Sequence, residues 1–223
     1  AMDISATWSS YTGYGVSCNG ASDGSIDVTV TGGTGNYTYD WSNGESTEDV
    51  SNLGAGTYSV TVTDENNCSV SISVEITETE AMDISATWSS YTGYGVSCSG
   101  ASDGSIDVTV TGGTGMYTYD WSNGAFTEDV DGLSAGTYSV TVTDENNCSV
   151  SISVEITETE AMDISATWSN YTGYGVSCNG ASDGSIDVTV TGGTGNYTYV
   201  WMAGDAMMAT DEDVDGLPAG TYS

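Results

Sequence analysis

Ser25-Ile26-Asp27-Val28-Thr29-Val30-Thr31 places an apolar residue at every second position, with Asp, Thr and Ser between them. That spacing predicts an extended strand with one face buried and the other in water. The same alternation runs through Tyr37–Trp41, Tyr58–Thr63 and Val70–Ile76, and Ile4, Ala6 and Trp8 predict a further strand at the start. The outward positions are mostly Thr and Ser, which suit an exposed sheet face. No segment has helical periodicity. Gly32-Gly33-Thr34-Gly35, Asn43-Gly44 and Glu65-Asn66-Asn67 supply turn residues between the strands. Six or seven short strands in a unit of this size predict an all-β fold, a small immunoglobulin-like β-sandwich. Leu53-Gly54-Ala55-Gly56-Thr57-Tyr58 predicts a tyrosine corner, its hydroxyl bonding back to the preceding turn.

This unit is repeated. Ala1 to Glu80 recurs as Ala81 to Glu160, with changes only at Asn19/Ser99, Asn36/Met116, Glu45/Ala125, Ser46/Phe126, Ser51/Asp131, Asn52/Gly132 and Gly54/Ser134. A third copy starts at Ala161 and runs to Ser223. The expected organisation is three domains, 1–80, 81–160 and 161–223, strung as beads. Near-identical tandem copies favour reach, stiffness or many equivalent contacts over a single active site. Copy three lacks the counterparts of Val60, Val62, Val70, Ile72, Val74 and Ile76. The expectation is that the 223 residues are a window from a longer array, with strand donation by a neighbouring chain as the alternative.

The chain carries 32 acidic residues, no Lys, Arg or His, and a net charge of −32. Nothing in it can neutralise phosphate, which excludes nucleic acid and anionic membranes as direct partners. The charge keeps molecules apart and opposes compaction. Regular Trp, Tyr, Val and Ile separate the sequence from disordered acidic chains. A serine nucleophile would have no base, and a carboxylate pair such as Asp23 and Asp27 would recur in every copy on a sheet surface, so no enzyme is expected. The one cofactor considered is Ca²⁺, which favours carboxylate and carbonyl oxygens. Its candidate ligands are Asp64, Glu65 and Asn66, and the crowded boundaries Glu75, Glu78, Glu80 and Asp83, then Glu155, Glu158, Glu160 and Asp163. For Asp64-Glu65-Asn66-Asn67 a tight hairpin turn is the preferred reading. For the boundaries an extended, water-screened linker stands equal to an ion site.

The cysteines are regular, with Cys18 and Cys68 in copy one, Cys98 and Cys148 in copy two, and Cys178 in copy three. One pair per copy, without His or CxxC, predicts one disulfide inside each domain, Cys18–Cys68 and Cys98–Cys148. A loop of about 50 residues closed this way would contribute roughly 4 kcal/mol in the chain-entropy account. It also points to an oxidising, extracellular compartment. Trp8, Tyr11 and Tyr14, with Trp88, Tyr91 and Tyr94 in copy two, form an aromatic cluster beside glycines. Burial at one end of the sandwich is the preferred reading, because a small domain needs apolar cover. Exposed, the cluster could stack on sugar rings or on a neighbouring chain.

Val16-Ser17-Cys18-Asn19-Gly20-Ala21-Ser22-Asp23-Gly24-Ser25-Ile26, Gly32-Gly33-Thr34-Gly35-Asn36-Tyr37-Thr38-Tyr39-Asp40-Trp41 and Leu53-Gly54-Ala55-Gly56-Thr57-Tyr58 through Cys68 resemble the SprB-type repeat. That repeat occurs in tandem in very large cell-surface adhesins of the Bacteroidetes, gliding-motility adhesins among them. The resemblance spans Val16 to about Ile76 of each copy. It does not cover Ala1 to Gly15. Asn67 stands where the repeat usually has Gly, and copy three carries a longer loop from Met202 to Thr210. The resemblance implies an extracellular, non-catalytic repeat. The expected role is a cell-surface stalk, fibre or filament with other copies of itself as partners, or, alternatively, a module that binds glycans or surfaces.

Overall fold

The computed structural model describes residues 1–223. By its internal contacts the chain divides into two compact units. One comprises Ala1–Thr87, Ile106–Val130 and Thr137–Val154, the other Trp88–Ser105, Asp131–Gly136 and Glu155–Ser223. The division runs through copy two rather than between copies.

The first unit contains all of copy one. Its six strands are β1 (Asp3–Trp8), β2 (Gly24–Thr31), β3 (Thr38–Trp41), β4 (Val50–Leu53), β5 (Gly56–Thr63) and β6 (Ser69–Ile76). They form two three-stranded sheets, ordered β1-β2-β4 and β3-β5-β6. All pairings are antiparallel, with Ile4 opposite Val30 and Val60 opposite Ile72. The inward residues of both sheets meet in one core: Ile26, Val28, Trp41, Val60, Val62, Val74 and Ile76, closed at the ends by Val16, Val50 and Leu53. Each such side chain contributes about 1.5–3 kcal/mol by leaving water. The expected immunoglobulin-like all-β sandwich is therefore present, with Trp41 at its centre and its indole Nε1 donating to the Thr47 carbonyl at 2.8 Å. The tyrosine corner is also present, since the Tyr58 hydroxyl donates to the Gly54 carbonyl at 3.1 Å.

Copy two repeats these strands as β7 (Asp83–Trp88), β8 (Gly104–Thr111), β9 (Thr118–Trp121), β10 (Val130–Leu133), β11 (Gly136–Thr143) and β12 (Ser149–Ile156). Ile106, Val108, Trp121, Val140 and Val142 take the buried places of their copy-one counterparts. The changes between copies fall mostly on the surface, where Met116 and Phe126 stand exposed. Asn52 and Gly132 occupy one left-handed position, with φ of 59° and 66°, which both residues tolerate.

The second unit contains copy three: β13 (Asp163–Trp168), β14 (Gly184–Thr191), β15 (Trp201–Ala203), β16 (Ala206–Ala209) and β17 (Val214–Leu217). The longer loop folds into the β15–β16 hairpin, and Trp201 still donates from Nε1 to a carbonyl, now Asp211 at 2.9 Å. A groove of about 560 Å³ is lined by Trp168, Val176, Ile186, Leu217 and Tyr222. In copy one Ile76 and Thr77 lie against this place. A Cβ on Gly15 would stand 2.7 Å from the Ile76 Cγ2, and the Gly15 amide donates to the Thr77 carbonyl at 2.9 Å.

Candidate functional site

The chemistry of the first unit concentrates where copy one meets copy two. Cys18 is presented by the loop before β2. Asp23 holds that loop by accepting from the Ser17 amide at 3.0 Å, and the Ala21 amide returns to the Cys18 carbonyl. The Ser17 hydroxyl and amide together keep the Asp23 carboxyl below its ordinary value. On the other side, Glu78 accepts from the Gly20 amide at 2.6 Å, and Asn19 donates to the Thr79 carbonyl at 2.8 Å.

The partner is the β11–β12 hairpin. Asp144 is buried and anchors it. One carboxylate oxygen accepts from the Asn146 and Cys148 amides at 2.9 Å each, and the other from the Thr114 amide at 2.9 Å and hydroxyl at 3.1 Å. The hairpin so fixed offers two side chains to copy one. Asn146 donates to the Ser17 and Tyr11 carbonyls at 3.1 and 3.4 Å and accepts from the Thr12 hydroxyl. Cys148 forms a disulfide with Cys18, their Cα atoms 5.7 Å apart and 130 residues apart in sequence.

This corrects the expected pairing. Cys18–Cys68 and Cys98–Cys148 are not formed, and Cys68, Cys98 and Cys178 are free and exposed. The physical reason is topological. Cys18 lies on the loop that faces the following copy, whereas Cys68 ends its own β5–β6 hairpin and is exposed. The linker also packs closely at this junction. The Gly113 amide donates to the Glu80 carbonyl at 2.9 Å, and a Cβ on Gly112 would stand 2.0 Å from the Ala81 carbonyl oxygen. The Gly32-Gly33 motif and its repeats are therefore contact points as well as turns.

The remaining candidates are distributed as follows. Asp64, Glu65 and Asn66 form the hairpin turn that was the preferred reading. The Asp64 carboxylate accepts from the Cys68, Asn66 and Thr34 amides, at 2.9, 2.9 and 3.1 Å, which lowers its pKa. Asn67 has φ of 60°, which accounts for glycine at this place in the resembling repeats. Glu65 accepts from Asn36. Glu75, Glu78, Glu80 and Asp83, and likewise Glu155, Glu158, Glu160 and Asp163, do not converge, and no three acidic or cysteine side chains come together as a metal-binding group. Glu78 and Glu158 instead cap the Gly20 and Gly100 amides. The aromatic cluster is not buried as preferred: Trp8 and Trp88 are each 53% exposed, and Tyr14, Tyr91 and Tyr94 are exposed beside them. Tyr11 and Tyr14 close a small bridge of their own, and Trp8 lies at the end of β1 beyond the core.

A first expectation follows from Asp64. Its carboxyl is held below the ordinary value by donors that prefer the charged form. That stabilisation is complete above the unfolded value of about 3.9 and is lost as pH falls through the depressed folded value. Asp64→Asn should lower the melting temperature at neutral pH, and its deficit relative to the parent should close on acidification. A deficit that stays constant down to strong acid would refute this role.

Among solved structures, an amphioxus IgVJ-C2 molecule is similar at 16% identity, covering 54% of this chain and 88% of its own, with a TM-score of 0.27. A tetra-tandem repeat in the extending region of a large adhesion protein is similar at 16% identity, covering 99% of this chain and 66% of its own, with a TM-score of 0.29. No curated protein matches in sequence. Residues 16–46, 96–126 and 176–206 match the SprB repeat, each match running from the valine before a repeat's first cysteine into the loop after its core tryptophan. One segment of each copy is thus similar to the SprB repeat.

Proposed function

We propose that this chain is a non-enzymatic segment of an extracellular, cell-surface adhesin, in which sandwich domains of about eighty residues serve for reach and mechanical continuity. The observation that carries this reading is the disulfide between Cys18 and Cys148, which ties one copy to the next instead of closing either. A cystine suits an oxidising compartment. A bond across a junction resists separation of neighbouring domains under load, which an internal bond does not. The net charge of −32 keeps such segments from collapsing on one another. The SprB resemblance agrees with a surface location. Binding by many such units would add through avidity.

Pulling the chain by its ends tests this. With the disulfide intact, the 130 residues between Cys18 and Cys148 are shielded from force. At about 3.5 Å per residue, reduction should lengthen the fully extended chain by about 45 nm in one increment. Two increments of about 17 nm, one for each internal loop of about 50 residues, would contradict it.

The exposed tryptophans favour a second reading. Trp8 and Trp88 stand at the same place in successive copies, 53% exposed, as stacking platforms for sugar rings or a surface would. Retention on immobilised polysaccharide that disappears on replacing Trp8, Trp88 and Trp168 by Ala would favour it. Unchanged retention would remove it.

A further inference from the structure

The differences between copies gather on one edge of the sandwich. Between copies one and two, all but Asn19/Ser99 and Asn36/Met116 lie between residues 45 and 54 or their counterparts. Outside residues 200–218, the counterpart of 40–54, copy three departs from copy one only at Asn170, where copy one has Ser10. This stretch crosses from β3 to β4, outer strands of their sheets, and from β15 to β17 in copy three. Its feet are alike in every copy. The core tryptophan donates from Nε1 to a loop carbonyl, that of Thr47, Thr127 or Asp211. The aspartate before the next strand, Asp49, Asp129 or Asp213, accepts from the Val28, Val108 or Val188 amide at 3.0, 2.9 and 2.9 Å. Only the tip between these feet changes, and in one direction. Glu45-Ser46 of copy one is Ala125-Phe126 in copy two, and copy three pairs Met202 with Met207 and Ala203 with Ala206. Phe126, the one phenylalanine of the chain, is 73% exposed, and Met207 is 68% exposed. The Trp121 amide donates to the Ala125 carbonyl at 3.0 Å and its Nε1 to the Thr127 carbonyl at 2.8 Å. Both neighbours of Phe126 are thereby pinned, and its side chain is held in water. The two copies with apolar tips also carry an acid, Asp131 and Asp215, in place of Ser51.

We propose that this edge, in copies two and three, is a recognition surface for a cationic amphipathic segment of another protein, with copy one carrying a polar form that does not bind it. A constant sandwich that varies at one fixed loop is how immunoglobulin-like scaffolds present binding residues. Phenylalanine and methionine supply the apolar contact. The surrounding charge sets the sign of the partner. Glu128 and Asp129 follow Phe126, and Asp205, Asp211, Glu212 and Asp213 flank the methionines, all of them exposed. A second copy of this chain is not the occupant, because it brings a charge of −32 and no Lys or Arg, and like charges oppose docking. Sugar recognition would call for more polar groups at the tip, and the change from Glu45-Ser46 to Ala125-Phe126 removes them. The occupant therefore brings Lys or Arg beside an apolar face. This goes beyond reach and continuity and uses none of the residues of the Cys18–Cys148 junction, so its failure leaves that tie standing.

The probe is a synthetic helical peptide of leucine and lysine carrying one photoreactive leucine. It is offered to the oxidised full chain at about 0.15 M salt, where exposed charges are screened beyond about 8 Å. Returning both tips to polar ones, Ala125→Glu with Phe126→Ser and Met207→Thr with Met208→Ser, should weaken binding about tenfold or more in fluorescence anisotropy. A peptide of serine and lysine should bind weakly and respond to neither change. After cleavage at aspartate, cross-links to the parent should fall on fragments 121–129 and 206–211 and spare 41–49, the copy-one counterpart. The copy-two change restores copy one's own tip on the same feet, and far-UV circular dichroism checks that each variant is folded. The proposal is overturned by a leucine peptide that does not bind, by binding that ignores the tip changes, or by cross-links spread evenly over the three fragments. Self-association of the parent that the tip changes abolish overturns it as well, since the occupant would then be a second copy.

Discussion

Cys148→Ser is expected to destabilise the joined copies one and two by about 5 kcal/mol, the chain-entropy value for a closed loop of 130 residues. The effect acts mainly on the unfolded chain, which loses a constraint spanning more than half its length. It should appear in urea unfolding as a lower midpoint, with an enlarged slope because the freed unfolded chain exposes more surface. Cys18→Ser should do the same. Cys68→Ser and Cys98→Ser should stay within about 0.5 kcal/mol of the parent, as exposed substitutions usually do. Internal pairing predicts the reverse for Cys68, whose loss would then match that of Cys18.

Trp41→Ala is expected to cost about 3–5 kcal/mol and to unfold copy one selectively. The side chain is 3% exposed and packs among the inward residues of both sheets. Its Nε1 satisfies the Thr47 carbonyl at 2.8 Å, so truncation leaves a cavity and an acceptor without its donor. A domain of this size has a total stability of roughly 4–12 kcal/mol at the usual value per residue, so the loss is a large share of it. Trp8→Ala, at a side chain 53% exposed, is the matched control and should cost little. Urea unfolding followed by far-UV circular dichroism should show an added early transition for Trp41→Ala alone. Equal effects of the two substitutions would place the core elsewhere.

Strand positions were legible because period two records which residues face the core, and β1, β2, β3, β5 and β6 all fall where alternation places them. β4 was not legible. Val50 and Leu53 are both buried but three residues apart, because Asn52 at φ 59° interrupts the alternation between them. The cysteine pairing was hidden for a different reason. In a tandem repeat, joining each first cysteine to the second of its own copy or of the next copy uses the same residues at the same period. Sequence spacing cannot separate the two, and only the direction in which the Cys18 loop faces decides. Trp8 misled through its place in the alternation of Ile4 and Ala6, since the core ends before the strand does. The Asp64 and Asp144 turns were read correctly as turns. Their second task, holding a cysteine and an asparagine toward the neighbouring copy, depends on which copy lies beside them.

The central claim is that the disulfide crosses the junction, and cleavage at aspartate of the oxidised monomer tests it directly. The fragments Ile4–Asp23 and Ile84–Asp103 differ only at Asn19 and Ser99, so their masses tell Cys18 from Cys98, whereas Glu65–Asp83 and Glu145–Asp163 are identical and cannot be told apart. The account predicts that the Cys18 fragment is cross-linked and the Cys98 fragment carries a free thiol. Finding the Cys98 fragment cross-linked in the same yield as the Cys18 fragment would contradict it.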